Sequence, residues 1–186
     1  MSKEKIHSDS GELLLCFDPQ GNPIAPQPRG IVHEKPYCIW HAVTNIWVIN
    51  GKGKILCTRR ASHVSGNPGK WQTYVGGHVK ADSTFSETVL RELAEEIGLE
   101  VSQDDPKLVE KGRREGSMHI YKSYAVLFDE DFSKLNFSDG EVSKARWFSF
   151  NEYEKSKEKN PNNWCNGVKS EQYHKSLNVL NLSISI

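Results

Sequence analysis

Glu92, Glu95 and Glu96 stand at i, i+3 and i+4 in the run Arg91-Glu92-Leu93-Ala94-Glu95-Glu96-Ile97-Gly98-Leu99. On a helix such positions share one face, with neighbouring Cβ atoms about 5–6 Å apart. Two carboxylate charges about 5 Å apart repel by roughly 3 kcal/mol at an effective dielectric near 20. A cation relieves that repulsion, and a set of oxygen ligands favours a hard ion, Mg²⁺ first and Mn²⁺ second. An ion held there can polarise an oxygen or activate a bound water. Arg91 is placed to brace the carboxylates by charge-assisted hydrogen bonds. The Gly76-Gly77 pair lets backbone approach a metal closely, with a carbonyl of that turn as a further ligand.

The elements that position these groups are legible as a pattern. Phe85, Val89, Leu93 and Ile97 recur every four residues, so Thr84 to Ile97 reads as an amphipathic helix. Ser83 or Thr84 caps it and Gly98 stops it. Before it, Trp40 to Ile49 and Lys54 to Arg60 flank Asn50-Gly51-Lys52-Gly53, a hairpin signal. Trp71 to Val75 reads as a short strand entering the glycine pair. Lys107 to Arg113, His119 to Phe128 and Ser143 to Phe150 read as further strands, Asn151 to Ser156 as the start of a second helix, and Ser170 to Leu180 as a last one. At the amino end, Glu12 to Phe17 and Pro23 to Ala25 form a leading hairpin around Asp18-Pro19-Gln20-Gly21-Asn22. Residues 26–30, with Pro26, Pro28 and Gly30, read as a linker, and the polar residues 1–10 are expected to fray. The expected fold is α+β, a mixed central sheet between helices in an α/β/α sandwich. One domain over 1–186 is expected, with a core at about 37–155, an amino-terminal hairpin extension at 8–32 and a helical extension at 160–186.

The chain has 186 residues, 24 Lys+Arg against 24 Asp+Glu, and no net charge. That balance gives no basic field, so a stable nucleic-acid complex is not expected. No apolar run reaches membrane-spanning length and no secretory leader is visible, so no membrane partner is expected. Cys16, Cys38, Cys57 and Cys165 form no Cys-x-x-Cys pair. Three of them, Cys16, Cys38 and Cys57, lie in apolar runs and read as small core residues, with one exposed thiol left. A cytoplasmic setting fits.

The segment from Gly77 to Leu99 resembles the Nudix box, Gly-x5-Glu-x7-Arg-Glu-U-x-Glu-Glu-x-Gly-U, with U a bulky aliphatic. Gly77, Arg91, Glu92, Leu93, Glu95, Glu96, Gly98 and Leu99 match at the right spacing. The box glutamate that commonly supports the arginine or the metal is Ser83 here, preceded by Asp82, which could serve from one residue away. The resemblance implies a Mg²⁺- or Mn²⁺-dependent hydrolase of a small-molecule diphosphate, with Glu92, Glu95, Glu96 and Gly77 at the metal and Arg91 in support. Arg59, Arg60, Lys70 and His78 are candidate substrate contacts, and Glu115 and Glu141 candidate proton acceptors. Within the family, the order of leading hairpin, Trp40-His41-Ala42, Arg59-Arg60, Pro68-Gly69-Lys70-Trp71 and Gly77-His78 is similar to the isopentenyl diphosphate isomerases and related hydrolases. The isomerases place a cysteine where this chain has Gly76, which favours hydrolysis. A non-catalytic nucleotide-binding module and an isomerase are the alternatives, and a homodimer is left open by the leading hairpin and Trp164.

Overall fold

The computed structural model describes residues 10–64, 66–138 and 140–183; the polar start at 1–9 lies outside them. An eight-stranded mixed sheet runs through the chain. Strands β1 (Leu13–Phe17) and β2 (Pro23–Pro28) form the leading hairpin at one edge. Residues 26–28, expected as linker, pair with β1, and a short helix α1 (Arg29–Val32) follows. Prolines lack the N–H a ladder needs, and an edge strand tolerates them because one side has no partner.

The long central strand β3 (Trp40–Ile49) is buried at nearly every residue. It pairs in parallel with β7 (His119–Leu127) over its whole visible register, from His41↔His119 to Ile49↔Leu127. Its other edge is shared three ways. β1 takes Trp40 and His41, the segment 75–79 takes the middle, and β4 (Ile55–Arg60) takes only Ile49↔Ile55. The expected β3–β4 hairpin therefore has its turn but not its ladder, because the segment carrying Gly76 and Gly77 lies along β3 instead. β4 goes on to pair with β5 (Trp71–Gln72) and β8 (Val142–Phe148), while β6 (Lys107–Arg114) pairs outside β7.

Helix α2 (Phe85–Ile97) covers one face of the sheet. Its Val89, Leu93 and Ile97 are fully buried against Ile46, Val48 and Val126. Thr84 caps it in a reciprocal box with Glu87, and Gly98 closes it in the left-handed conformation at φ +65°. The opposite face is covered by α3 (Phe150–Lys159) and α4 (Ser170–Val179), whose Tyr153, Tyr173 and Leu177 pack on Trp47, Ile55 and Phe148. The sheet thus lies between helices on both faces. The one exposed cysteine is Cys38, whereas Cys165 is buried, and its N–H donates to Trp71 O at 2.8 Å. No described helix is long and apolar enough to cross a membrane.

Candidate active site

The apolar stripe of α2 faces the sheet, so residues one position to its side land at the rim. Glu92 and Glu96 are both only 9% exposed, whereas the Glu95 side chain is 56% exposed. The structure therefore brings two of the three glutamates together and leaves the third outside. Glu96 hydrogen-bonds to Glu92, an arrangement in which two carboxylates hold a shared proton or a cation in its place. Burial pushes the Glu92 carboxyl up, Arg91 opposes that shift, and the charge of Glu95 adds to it. Arg91 spans the group, 2.8 Å from Glu92 Oε1 and 3.0 Å from Glu95 Oε2.

The glycine pair fits closely against this helix. Gly76 N–H donates to Glu96 Oε1 at 2.9 Å. A Cβ on Gly77 would sit 2.7 Å from Glu92 Cδ, so only glycine lets the carboxylate lie against the strand. The Gly77 carbonyl, expected as a metal ligand, instead accepts from Thr44 N–H at 2.8 Å and from the Thr44 hydroxyl at 3.3 Å. It is committed to β3. The Gly76 carbonyl has no partner among the described residues. Asp82 is exposed and pairs with no cation among them either. Arg91 is braced by Glu92 and Glu95 in place of the absent box glutamate, and the chain uses that stretch to build the Thr84 cap.

Four histidines converge beside the glycine pair. His33 follows α1, His41 and His119 are register partners on β3 and β7, and His78 follows Gly77. Ligand atoms of His33, His41 and His78 lie within 4.8 Å of one another, and His33 Nε2 is 3.0 Å from His78 Nε2. His41 and His119 rings are 4.7 Å apart. His41 Nδ1 lies 3.2 Å from Ile39 O, which leaves its buried Nε2 without a partner. Burial holds all four below the ordinary imidazole range, His41 at about 4 and His119 at about 3; Arg29 adds to the effect at His33, His41 and His78, Arg114 at His119, and neighbouring imidazoles at His41, His78 and His119. Neutral imidazole nitrogens suit a transition-metal ion. Sequence reasoning found His78, weighed His41 as core or rim, and missed His33 and His119; only the parallel β3–β7 register joins them.

A pH dependence follows. Between the depressed folded values and the unfolded value near 6.5, the unfolded chain binds more protons, so stability falls as pH drops. With chelator present, the melting temperature should be steady above about pH 7 and decline from about pH 6.5 toward pH 4. Thermal melts across that range check this, and a His41→Asn variant should show a shallower decline.

A cleft of about 680 Å³ opens at the histidines. Arg29, Arg60 and His78 line it, as do His33 and His119. Arg29 is held by Glu12 at 3.2 Å, and Arg60 donates from Nε to Gly66 O and lies 4.0 Å from Glu141. Of the expected substrate contacts, Arg60 and His78 are thus in the cleft. Arg59 and Lys70 are not among its lining: Arg59 Nε donates to Gly69 O at 2.8 Å, and Lys70 O accepts from Arg60 N–H, so both tie down the loop before β5. His78 joins the cleft to the glutamate helix, since its carbonyl accepts from Arg91 at 3.5 Å.

An isopentenyl-diphosphate Delta-isomerase of Corynebacterium glutamicum is 36% identical over 90 residues, covering 48% of this chain and 47% of that one. One of the same name from Cutibacterium acnes is 26% identical over 159 residues, covering 77% and 78%. The chain spans about half the length of most of the curated relatives it matches. A solved protein of Deinococcus radiodurans shares the fold, with a TM-score of 0.68 at 17% identity over 90% of this chain and 99% of that one. The NUDIX domain model matches residues 40–165, which contain the glutamate helix, the glycine pair and three of the four histidines, and the chain belongs to the NUDIX domain family.

Proposed function

We propose that this chain is a Mg²⁺- or Mn²⁺-dependent hydrolase that cleaves a diphosphate linkage in a nucleoside diphosphate derivative or related small molecule. The buried Glu92–Glu96 pair carries the reading, because two carboxylates in hydrogen-bond contact are a site for a divalent ion. Glu92, Glu96 and the Gly76 carbonyl would hold it. When bound, the ion supplies charge neutralisation at the phosphate oxygens and lowers the pKa of a water. Glu95, beside the pair and exposed, is placed to accept the water's proton. Arg91 keeps Glu92 and Glu95 oriented, and Arg60 with His78 orients the anionic substrate in the cleft. The imidazoles of His33, His41 and His78 offer a second, nitrogen-rich metal position at the same cleft. Free thiols buried in the core support a reducing, cytoplasmic setting.

Isomerisation is the second reading, favoured by the names of the relatives. Gly76 opposes it. Cys16, the register partner of His41, and Cys57 are both buried with their thiols pushed up, and so are no substitute acid–base groups. A metal titration tests the leading reading. Mn²⁺ at 1 mM should raise the melting temperature of the wild type by several degrees and should not do so in a Glu92→Gln/Glu96→Gln/His41→Asn variant. An equal shift in both would count against the proposed sites.

A further inference from the structure

We infer that Glu12 is a positioning residue: it holds Arg29 ready to grip an anion in the cleft, which makes the amino-terminal hairpin part of the binding machinery. That the anion is a diphosphate rests on the hydrolytic reading; the brace itself rests on the contacts around Glu12.

Ser10, Arg29, Gly30, His33 and Tyr37 line the cleft and lie before the matched domain at 40–165. The hairpin brings them there. Leu14 and Cys16 alternate inward along β1 and form a small core with Val32 of α1. Glu12 has the same parity, so its side chain is only 20% exposed although it carries a charge. Two cations meet that charge: Arg29 lies 3.2 Å from Oε2 and Lys80 lies 3.1 Å from Oε1. The Glu12 carbonyl also accepts from Arg29 N–H at 2.8 Å, so backbone and side chain of Arg29 are tied to the same residue. Next to it, Gly30 N–H donates to Ser10 O at 2.9 Å.

The brace leaves the arginine usable. Glu12 takes one guanidinium nitrogen, Nη1, while Nε and Nη2 have no partner among the described residues. Donors side by side on a planar fork can hold two phosphate oxygens together. Glu12 itself is not among the residues that line the cleft, whereas Arg29 is, so the carboxylate steadies the arginine without joining the wall an anion meets. The charge of Arg29 is felt at His33, His41 and His78, which fits a guanidinium beside the imidazoles. A long side chain loses rotamer freedom when it engages a ligand, and a partner that has already ordered it lowers that cost.

Glu12→Ala has two effects of opposite sign. Removing an acid beside a cationic cleft strengthens anion binding, and releasing Arg29 weakens it. Calorimetric titration of inorganic pyrophosphate into the full chain, with Mg²⁺, should show Arg29→Ala binding at least about tenfold more weakly than the wild type. Glu12→Ala should bind about three- to tenfold more weakly. Glu12→Gln, whose amide oxygen still accepts from Nη1, should bind within about twofold of the wild type. In an Arg29→Ala background, Glu12→Ala should cost nothing further, because its effect passes through the arginine. Lys80→Met breaks the other ion pair of Glu12, leaves the brace on Arg29 and controls for loosening of the hairpin; it should bind within about twofold of the wild type. Unchanged or tighter binding by Glu12→Ala overturns the inference, as does an equal loss in both backgrounds or an equal loss in Lys80→Met. Absence of pyrophosphate binding by the wild type overturns it too. The expected losses in binding, without release of phosphate from any diphosphate compound, sink the hydrolytic reading and leave the role of Glu12 standing.

Discussion

Glu96→Gln should cut metal-dependent hydrolysis at least about a hundredfold and leave the melting temperature without metal unchanged or raised. A glutamine at this position keeps the contacts that hold the helix to the strand. Its amide oxygen still accepts from Gly76 N–H, and its amide N–H₂ can donate to Glu92 in place of the carboxyl–carboxylate contact. What it lacks is the second negative charge. Outer partners of metal ligands already cost about 10- to 100-fold when lost, so a ligand itself should cost at least that. Removing one of two buried, mutually repelling acids relieves desolvation, so folding does not suffer. Turnover measured beside a melting curve checks both halves. A variant that is both active and unstable would place Glu96 in the packing and not in the chemistry.

Gly76→Cys should destabilise the chain by about 3 kcal/mol and create no isomerase. Gly76 sits at φ +141°, a conformation that side chains rarely adopt, with a cost of order 1–3 kcal/mol. A Cβ there would also overlap Thr44 O and lie 3.0 Å from Thr44 C and 3.3 Å from Asn45 Cα. Those are backbone atoms of the central strand and cannot step aside, so overpacking adds about 1–3 kcal/mol. For a chain of this size a loss of about 3 kcal/mol, within the range of the two effects together, corresponds to a fall of roughly 6–12 °C in melting temperature. The glycine therefore reflects how this strand lies along β3, and restoring the isomerases' cysteine does not restore their site. Wild-type stability together with conversion of isopentenyl diphosphate by the variant would overturn this.

How far the residues disclose the structure depends on how local each feature is. Helix α2 is legible because its stripe, its Thr84 cap and its Gly98 stop all lie within fifteen residues. The pairing of Glu92 with Glu96 and the outward turn of Glu95 follow from that stripe, since a residue four positions on stays at the same rim while one three positions on drifts off it. The histidine cluster is not legible, because His41 and His119 meet only through the parallel β3–β7 ladder, and His33 is delivered by a short helix, just before it, that starts where a linker is expected. Arg59 and Arg60 look alike in sequence but alternate across the strand, so one serves the loop and the other the cleft. Cys38 and Cys165 exchange their expected places because the burial of Cys165 depends on Trp71 and the carboxy-terminal helices, which no local pattern encodes.

The most direct measurement is phosphate and nucleoside monophosphate release from a panel of diphosphate compounds, with Mg²⁺, with Mn²⁺ and with chelator. Metal-dependent cleavage of at least one compound, lost on chelation and in Glu96→Gln, is the expected result. No release from any compound with either ion, by protein that folds and binds metal, would contradict the hydrolytic reading and leave a binding module.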